Sequence, residues 1–203
     1  MIVDLLALAR LFRLLNCLIT ALSVGVGGVT IGVFPPDGPI LLAATAAFLI
    51  AAAGYGFNDF VDVEIDRRNR PDRPLPSGQI STKTAVLGSQ SLLLVGLALA
   101  WWLSPFLGFY ASIVAGSLFI YSRWLKPTPL WGNLVIASLA ASAFPFGALA
   151  GGGVGRAWIP ACLAFLFHLG REIIKDIEDL EGDWQQGAHT LPIRWGERSA
   201  GRL

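Results

Sequence analysis

The chain has 203 residues, of which 54% are hydrophobic and 14% are charged, and its formal net charge is +1. This composition excludes an ordinary soluble domain, because soluble domains carry about 25% charged residues and few long apolar stretches. The length suits one domain, so we expect residues 1–203 to form a single membrane-embedded domain.

Five uncharged stretches are each about long enough to cross a hydrocarbon core of about 30 Å as a helix. They span residues 14–34, 40–57, 85–103, 106–122 and 130–149. Ser104-Pro105 separates the third stretch from the fourth, because proline disfavours the helical conformation of the residue before it. A sixth stretch, residues 158–170, continues without a helix breaker into a polar segment. The sequence therefore predicts an all-α, polytopic transmembrane helix bundle with about six helices.

The positive charges orient these stretches in the membrane. If the N-terminus lies inside, fourteen of the fifteen Lys and Arg residues fall in inside segments, and only Arg156 lies in an outside loop. Short loops with this bias follow the positive-inside rule. We therefore expect a multi-pass protein of the cell membrane whose N-terminus and acidic segments are cytoplasmic.

Two acidic segments have aspartates at relative positions 0, 3 and 7. These residues are Asp59, Asp62 and Asp66 in the first segment, and Asp176, Asp179 and Asp183 in the second. On an α-helix this spacing confines three carboxylates to a stripe about 60° wide, outside which Glu64, Glu178 and Glu181 fall. Like charges at this spacing repel, so a bound cation is expected to compensate them. Carboxylate oxygens without a histidine or cysteine cluster favour Mg²⁺.

Basic and amide side chains near these segments suit a diphosphate. A magnesium site with few carboxylates completes its shell with water and phosphate oxygens, and Arg and Lys bind phosphate oxygens directly. The candidate substrate-binding residues are Asn16, Asn58, Arg73, Lys126, Arg171 and Lys175. With apolar helices behind them, the expected substrate has a diphosphate head and a long hydrocarbon tail. In the alternative interpretation, these charges are only solvated or contact the headgroups of membrane lipids.

The first segment, Asn58-Asp59-x-x-Asp62-x-x-x-Asp66 followed by Arg73-Pro74-Leu75-Pro76-Ser77-Gly78, resembles the first signature of the UbiA-type intramembrane prenyltransferases. The second, Asp176-x-x-Asp179-x-x-x-Asp183, resembles their second signature. Within that family, residues 13–17, 65–74 and 171–179 are most similar to the branch of geranylgeranylglycerol-phosphate geranylgeranyltransferases. The resemblance covers nearly the whole chain.

This resemblance implies a Mg²⁺-bound prenyl diphosphate donor between the two segments and a lipid or aromatic acceptor. It assigns metal binding and catalysis to the six aspartates, with the metal assisting ionisation of the donor. Arg73, Lys126 and Lys175 become candidates for contacts with the leaving diphosphate. Arg13 and Arg171 become candidates for contacts with an acceptor phosphate. No nucleic acid is expected as a partner.

Members of the family usually have nine membrane helices, whereas this sequence ends soon after the second acidic segment. The resemblance therefore implies that the domain is incomplete at its C-terminus, by about three helices. The activity expected from the resemblance is accordingly that of a parent protein with all nine helices.

Three alternatives stay open. Hydroxybenzoate, homogentisate and chlorophyllide-like acceptors belong to branches that share much of this pattern. A membrane cation transporter also uses intramembrane carboxylates, but it would place them in the middle of helices and not at helix ends beside arginines. A CDP-alcohol-type transferase would need Asp-Gly followed by Ala-Arg within the aspartate series, and neither segment contains them.

Overall fold

The structure is a computed structural model that describes residues 4–178, 180, 184 and 190–196. All regular secondary structure in these residues is helical, as the sequence predicts. The helices are α1 Leu5–Leu11, α2 Leu14–Val29, α3 Gly38–Val61, α4 Val63–Asn69, α5 Thr82–Leu103, α6 Pro105–Ile120, α7 Trp131–Ala141, α8 Ala143–Ala150, α9 Trp158–Glu178 and α10 Leu191–Trp195. A π-helical turn, Tyr121–Leu125, continues α6.

Four helical segments of the described chain are long and apolar enough to cross a membrane. They are α3, α5, α6 with its π-helical turn, and α7 joined to α8. The pair α1 and α2 adds a fifth if it forms one span with a bend of 56°. These segments match the five predicted stretches, and α9 continues into the second acidic segment as expected.

Two breaks between helices have local causes. The predicted break at Ser104 is confirmed: its hydroxyl accepts a hydrogen bond of 3.1 Å from the Leu107 amide, and Pro105 takes the first position of α6. Both residues are favoured at these positions of a helix N-terminus. The break between α7 and α8 at Ser142 is not apparent from the sequence pattern. It agrees with Pro145, which has no amide proton to donate to the carbonyl of Ala141.

The outer surface of the bundle is strongly apolar. Large side chains such as Leu22, Leu94 and Trp102 are 69%, 67% and 84% exposed. Soluble monomers rarely expose contiguous apolar patches of more than a few hundred Å². Together with the helix lengths, this surface identifies an integral, multi-pass membrane protein.

Helices α2 and α8 make a very close backbone contact through two glycines. A Cβ atom added at Gly27 would lie 2.0 Å from the carbonyl oxygen of Phe144, and one at Gly147 would lie 1.9 Å from that of Val24. Only a hydrogen atom fits at either position. Small residues at helix crossings let membrane helices approach this closely, so this contact fixes α2 against α8.

A second apolar cluster lies at the end of the bundle that carries the first acidic segment. It contains Ala7, Leu11, Phe12, Cys17, Ala52, Leu75, Ile80 and Ala85. These residues join α1 and the loop before α5 to the sides of α3 and α5. The cluster thereby brings Arg13 and Arg73, which lie in separate segments of the chain, to the end of α3.

Candidate active site

The three aspartates of the first segment are buried side by side. Asp59, Asp62 and Asp66 are 3%, 5% and 5% exposed, whereas the side chain of Glu64 is 75% exposed, as its position outside the stripe predicts. The helix is interrupted at Asp62, between α3 and α4. Its amide still donates to the Asn58 carbonyl at 3.0 Å, and the Asp66 amide donates to the Asp62 carbonyl at 2.8 Å. Because this bonding continues across the interruption, the carboxylates keep one direction.

Asp59 and Asp66 contact two arginines, one from the bend between α1 and α2 and one from the loop after α4. Arg13, between α1 and α2, donates from Nη2 to Asp59 Oδ1 at 2.9 Å. Arg73, in the loop after α4, donates from Nη1 to Asp66 Oδ2 and lies 3.6 Å from Asp59 Oδ1. The guanidinium of Arg13 also lies over the ring of Tyr55, 4.8 Å from its centroid. Arg13, expected at an acceptor phosphate, therefore contacts the first acidic segment.

Asp62 has its own pair of partners. Lys126, directly after the π-helical turn, binds Asp62 Oδ2 through Nζ. The same oxygen accepts a hydrogen bond of 2.9 Å from Asn58 Nδ2. Asn16, on α2, lies close to the side chain of Tyr55. The structure thus brings Asn58 and Lys126 directly to the carboxylates, and Asn16 to the residue beneath Arg13.

The second acidic segment begins at the polar end of α9. Asn133 Nδ2 on α7 donates a hydrogen bond of 2.8 Å to Asp176 Oδ2. Glu172, one turn before Asp176, is buried and lies 2.9 Å from Arg171 Nη1 and 3.7 Å from Lys175 Nζ. Asp179 and Asp183, predicted as metal ligands, lie outside the described residues.

Tyr121, the first residue of the π-helical turn, lies within electrostatic range of both acidic segments. Tyr121 lies close enough to Asp62, Glu172 and Asp176 to interact with all three electrostatically. The π-helical turn therefore brings Tyr121 near acidic residues of both segments and leads directly to Lys126, which contacts Asp62. Short π-helical stretches inside α-helices are frequent at functional sites.

Sequence reasoning did not single out Tyr55, Tyr121, Asn133 or Glu172 as site residues. Glu172 could have been predicted from the sequence, because a spacing of four residues places it on the same face of α9 as Asp176. Asn133 and the two tyrosines carry no local signal, since none of them belongs to a motif of charged residues. Their role follows only from the packing of α3, α6 and α7 around the site.

The donor atoms of this site fit Mg²⁺ by type, because buried carboxylates are the ligands that this ion takes from proteins. Within residues 4–178 and the other described positions, no three His, Cys, Asp or Glu side chains are arranged to hold one metal ion. Basic side chains contact the carboxylates of the first segment instead. The site therefore combines metal-binding oxygens with the Arg and Lys donors that bind phosphate.

Comparisons with known proteins cover both acidic segments. The model of the UbiA prenyltransferase family matches residues 17–203. Digeranylgeranylglyceryl phosphate synthases from Thermococcus kodakarensis and Thermococcus sibiricus are 43% and 44% identical to the chain, over 91% and 96% of its length. The chain spans 67% and 70% of these relatives.

Two solved structures share the arrangement of helices. One, from work on digeranylgeranylglyceryl phosphate synthase in membranes, has a TM-score of 0.83 at 37% identity and covers 96% of this chain and 70% of that one. The other, a UbiA homolog from Archaeoglobus fulgidus bound to GPP and Mg²⁺, has a TM-score of 0.80 at 25% identity. It covers 96% of this chain and 71% of that one.

Proposed function

The chain belongs to the UbiA prenyltransferase family, and we propose that it transfers a geranylgeranyl group from its diphosphate to geranylgeranylglyceryl phosphate. The observation that carries the proposal is the cluster of three buried aspartates with basic partners at the end of apolar helices. Identities of 43% and 44% to digeranylgeranylglyceryl phosphate synthases support this choice of acceptor.

We propose that Mg²⁺ is held by the six aspartates of the two acidic segments. These are Asp59, Asp62, Asp66, Asp176, Asp179 and Asp183. When bound, Mg²⁺ neutralises the charge that develops on the leaving diphosphate. The homolog from Archaeoglobus fulgidus, bound to GPP and Mg²⁺, supports both the metal and the donor class.

The basic residues around the aspartates bind and orient the donor. Arg73 and Lys126 already lie at the carboxylates. Their N–H groups therefore reach the space in which a metal-bound diphosphate would sit. Lys175, which lies 3.7 Å from Glu172 on α9, supplies a further positive charge for the donor diphosphate. Asn58 fixes the direction of the Asp62 carboxylate through its hydrogen bond. The apolar helices behind the site exclude water from the allylic cation that ionisation leaves.

The acceptor phosphate needs a cationic contact separate from the donor site, and Arg171 suits this role. Its side chain is 54% exposed at the site end of α9, beside the buried Glu172. We expect Arg171→Gln to raise the KM for geranylgeranylglyceryl phosphate about tenfold, since a hydrogen bond to a charged group contributes about 1.5 kcal/mol. The KM for the donor should stay nearly unchanged.

Steady-state kinetics with each substrate varied in turn will measure this difference. Arg67→Gln is the matched control, because Arg67 is an exposed arginine whose partner is the exposed Glu64. An equal rise in both KM values in Arg171→Gln would assign Arg171 to the donor.

The identity of the acceptor is tested by offering candidate acceptors one at a time. Labelled geranylgeranyl diphosphate and Mg²⁺ should be incubated with the protein and with geranylgeranylglyceryl phosphate, hydroxybenzoate or homogentisate. We expect labelled product from the glyceryl phosphate alone. Product from an aromatic acceptor alone would overturn the proposed acceptor and leave the family assignment intact.

We also propose that the N-terminus and both acidic segments face the cytoplasm, because fourteen of fifteen basic residues lie on that side in this orientation. In a protein whose exposed Cys162 is replaced by serine, cysteines introduced at Gly38 and Val154 should react with an impermeant thiol reagent in intact cells. A cysteine at Thr82 should react only after lysis. All three positions are exposed in the structure, so reaction at Thr82 in intact cells would contradict this orientation.

A further inference from the structure

Each aspartate of the first acidic segment has a basic partner from a different part of the chain. Arg13 pairs with Asp59, Arg73 with Asp66 and Lys126 with Asp62. We define these contacts as the three carboxylate–cation pairs. Three carboxylates and three cations sum to no net charge, so electrostatic attraction for a free divalent cation is largely cancelled.

The two sides of these pairs differ in their exposure to solvent. The side chains of Asp59, Asp62 and Asp66 are 4%, 7% and 8% exposed. Those of Arg13, Arg73 and Lys126 are 32%, 21% and 38% exposed. The carboxylates are therefore enclosed by protein, whereas the basic side chains are partly exposed, so a ligand that enters from solvent meets the cations first.

The backbone of Arg13 marks the bend between α1 and α2 that brings its side chain to Asp59. Its φ of 48° and ψ of 55° lie in the left-handed region, which residues other than glycine, asparagine and aspartate seldom adopt. This conformation is common in the residue that follows the C-cap of a helix, as Arg13 follows Phe12 at the end of α1. At this bend the side chain of Arg13 contacts Asp59 and the ring of Tyr55.

We propose that the three carboxylate–cation pairs set the order of ligand binding: they keep free Mg²⁺ out, and they open when a diphosphate takes over the basic side chains. This inference rests on the proposed function, because it requires a diphosphate at this site. The phosphate oxygens replace the carboxylates as partners of the cations, and the freed carboxylates then accept the metal. Metal and diphosphate consequently bind with positive coupling, each raising the affinity for the other.

The test measures metal binding in the absence of catalysis. Mn²⁺ replaces Mg²⁺, because its electron paramagnetic resonance signal distinguishes free from bound ion. Inorganic pyrophosphate is the diphosphate, and solutions without protein give the amount of Mn²⁺ that pyrophosphate binds by itself. For the wild-type protein we expect pyrophosphate to tighten Mn²⁺ binding at least about tenfold, within the usual range of coupling between sites. In Lys126→Gln and Arg13→Gln, Mn²⁺ alone should bind more tightly than it binds the wild type, and the effect of pyrophosphate should shrink.

Arg67→Gln is the matched control and should behave as the wild type does. Because removing a cation leaves a buried carboxylate unpaired and weakens the fold, thermal unfolding supplies a second measurement. The melting temperatures of both variants should fall without metal and rise on addition of Mn²⁺ alone by more than that of the wild type. Absence of this larger rise would count against the proposal.

Three results would overturn the proposal, and they differ in what else they affect. Equal Mn²⁺ affinity of the wild type with and without pyrophosphate removes the coupling and leaves the proposed function standing. Unchanged or weaker Mn²⁺ binding in both variants shows that the cations do not compete with the metal, again without affecting that function. Failure of the wild type to bind pyrophosphate and Mn²⁺ in any combination overturns both the inference and the proposed diphosphate site.

Discussion

We expect Asp62→Ala to lower turnover by about a thousandfold or more, since metal and charge stabilisation of a leaving group contributes several kcal/mol to the transition state. Asp62 is buried at the centre of the first acidic segment, and Lys126 and Asn58 both bind its Oδ2 atom. The substitution removes a proposed metal ligand and releases a lysine proposed to bind the donor. Single-turnover assays with labelled geranylgeranyl diphosphate will measure the chemical step directly.

Glu64→Ala is the matched control for this experiment. Glu64 lies two residues away on the opposite face, and its exposed side chain pairs with the exposed Arg67. Its replacement should change turnover by less than about threefold, because exposed ion pairs contribute about 0–1 kcal/mol. Equal losses in the two variants would mean that total negative charge matters and that the direction of the carboxylates does not. Melting temperatures will show that both variants are folded.

We expect Gly147→Ala to prevent folding or to lower the free energy of unfolding by about 3 kcal/mol or more, since severe overpacking at a fixed contact lies at the upper end of single-residue effects. The added Cβ atom would lie 1.9 Å from the carbonyl oxygen of Val24. This carbonyl oxygen belongs to the backbone of α2, so it cannot move away by a change of side-chain rotamer. Helices α2 and α8 would therefore have to separate. Thermal unfolding in detergent and the yield of monodisperse protein will measure the effect.

Gly116→Ala is the corresponding control, because a Cβ atom at Gly116 meets nothing within 4 Å. Gly116 lies inside α6, where replacement of glycine by alanine favours the helix by about 1 kcal/mol. The control variant should therefore unfold at or above the temperature of the wild type. A Gly147→Ala protein that unfolds at the same temperature as Gly116→Ala would show that the contact between α2 and α8 is not tight.

The helices and the direction of the aspartates were predictable because both depend on neighbours in sequence. Uncharged length decides whether a segment spans the membrane, and the period of 3.6 residues places Asp59, Asp62 and Asp66 on one face. Helix α1 was not predicted. It has only seven residues, and it begins where the Asp4 side chain accepts a hydrogen bond of 2.9 Å from the Leu6 amide.

The partners of the aspartates were only partly predictable, because they depend on contacts between distant segments. Sequence reasoning placed Arg73 and Lys126 near a diphosphate, but it gave no means of pairing Lys126 with Asp62, 64 residues away. Nor could it pair Arg13 with Asp59, since that contact depends on the bend between α1 and α2. Such pairings follow from how the helices pack, and a single sequence contains no direct record of that packing.

The glycine contact between α2 and α8 also has a consequence for how the protein is made. The glycines that form it, Gly27 and Gly147, are 120 residues apart in the chain. At a synthesis rate of about 5–20 residues per second, α8 leaves the ribosome roughly ten seconds after α2. Membrane helices generally insert first and associate afterwards. The face of α2 that carries Gly27 must therefore contact lipid tails or the insertion machinery at first. It can pack against α8 only after three further spans have been inserted and α8 has been synthesised.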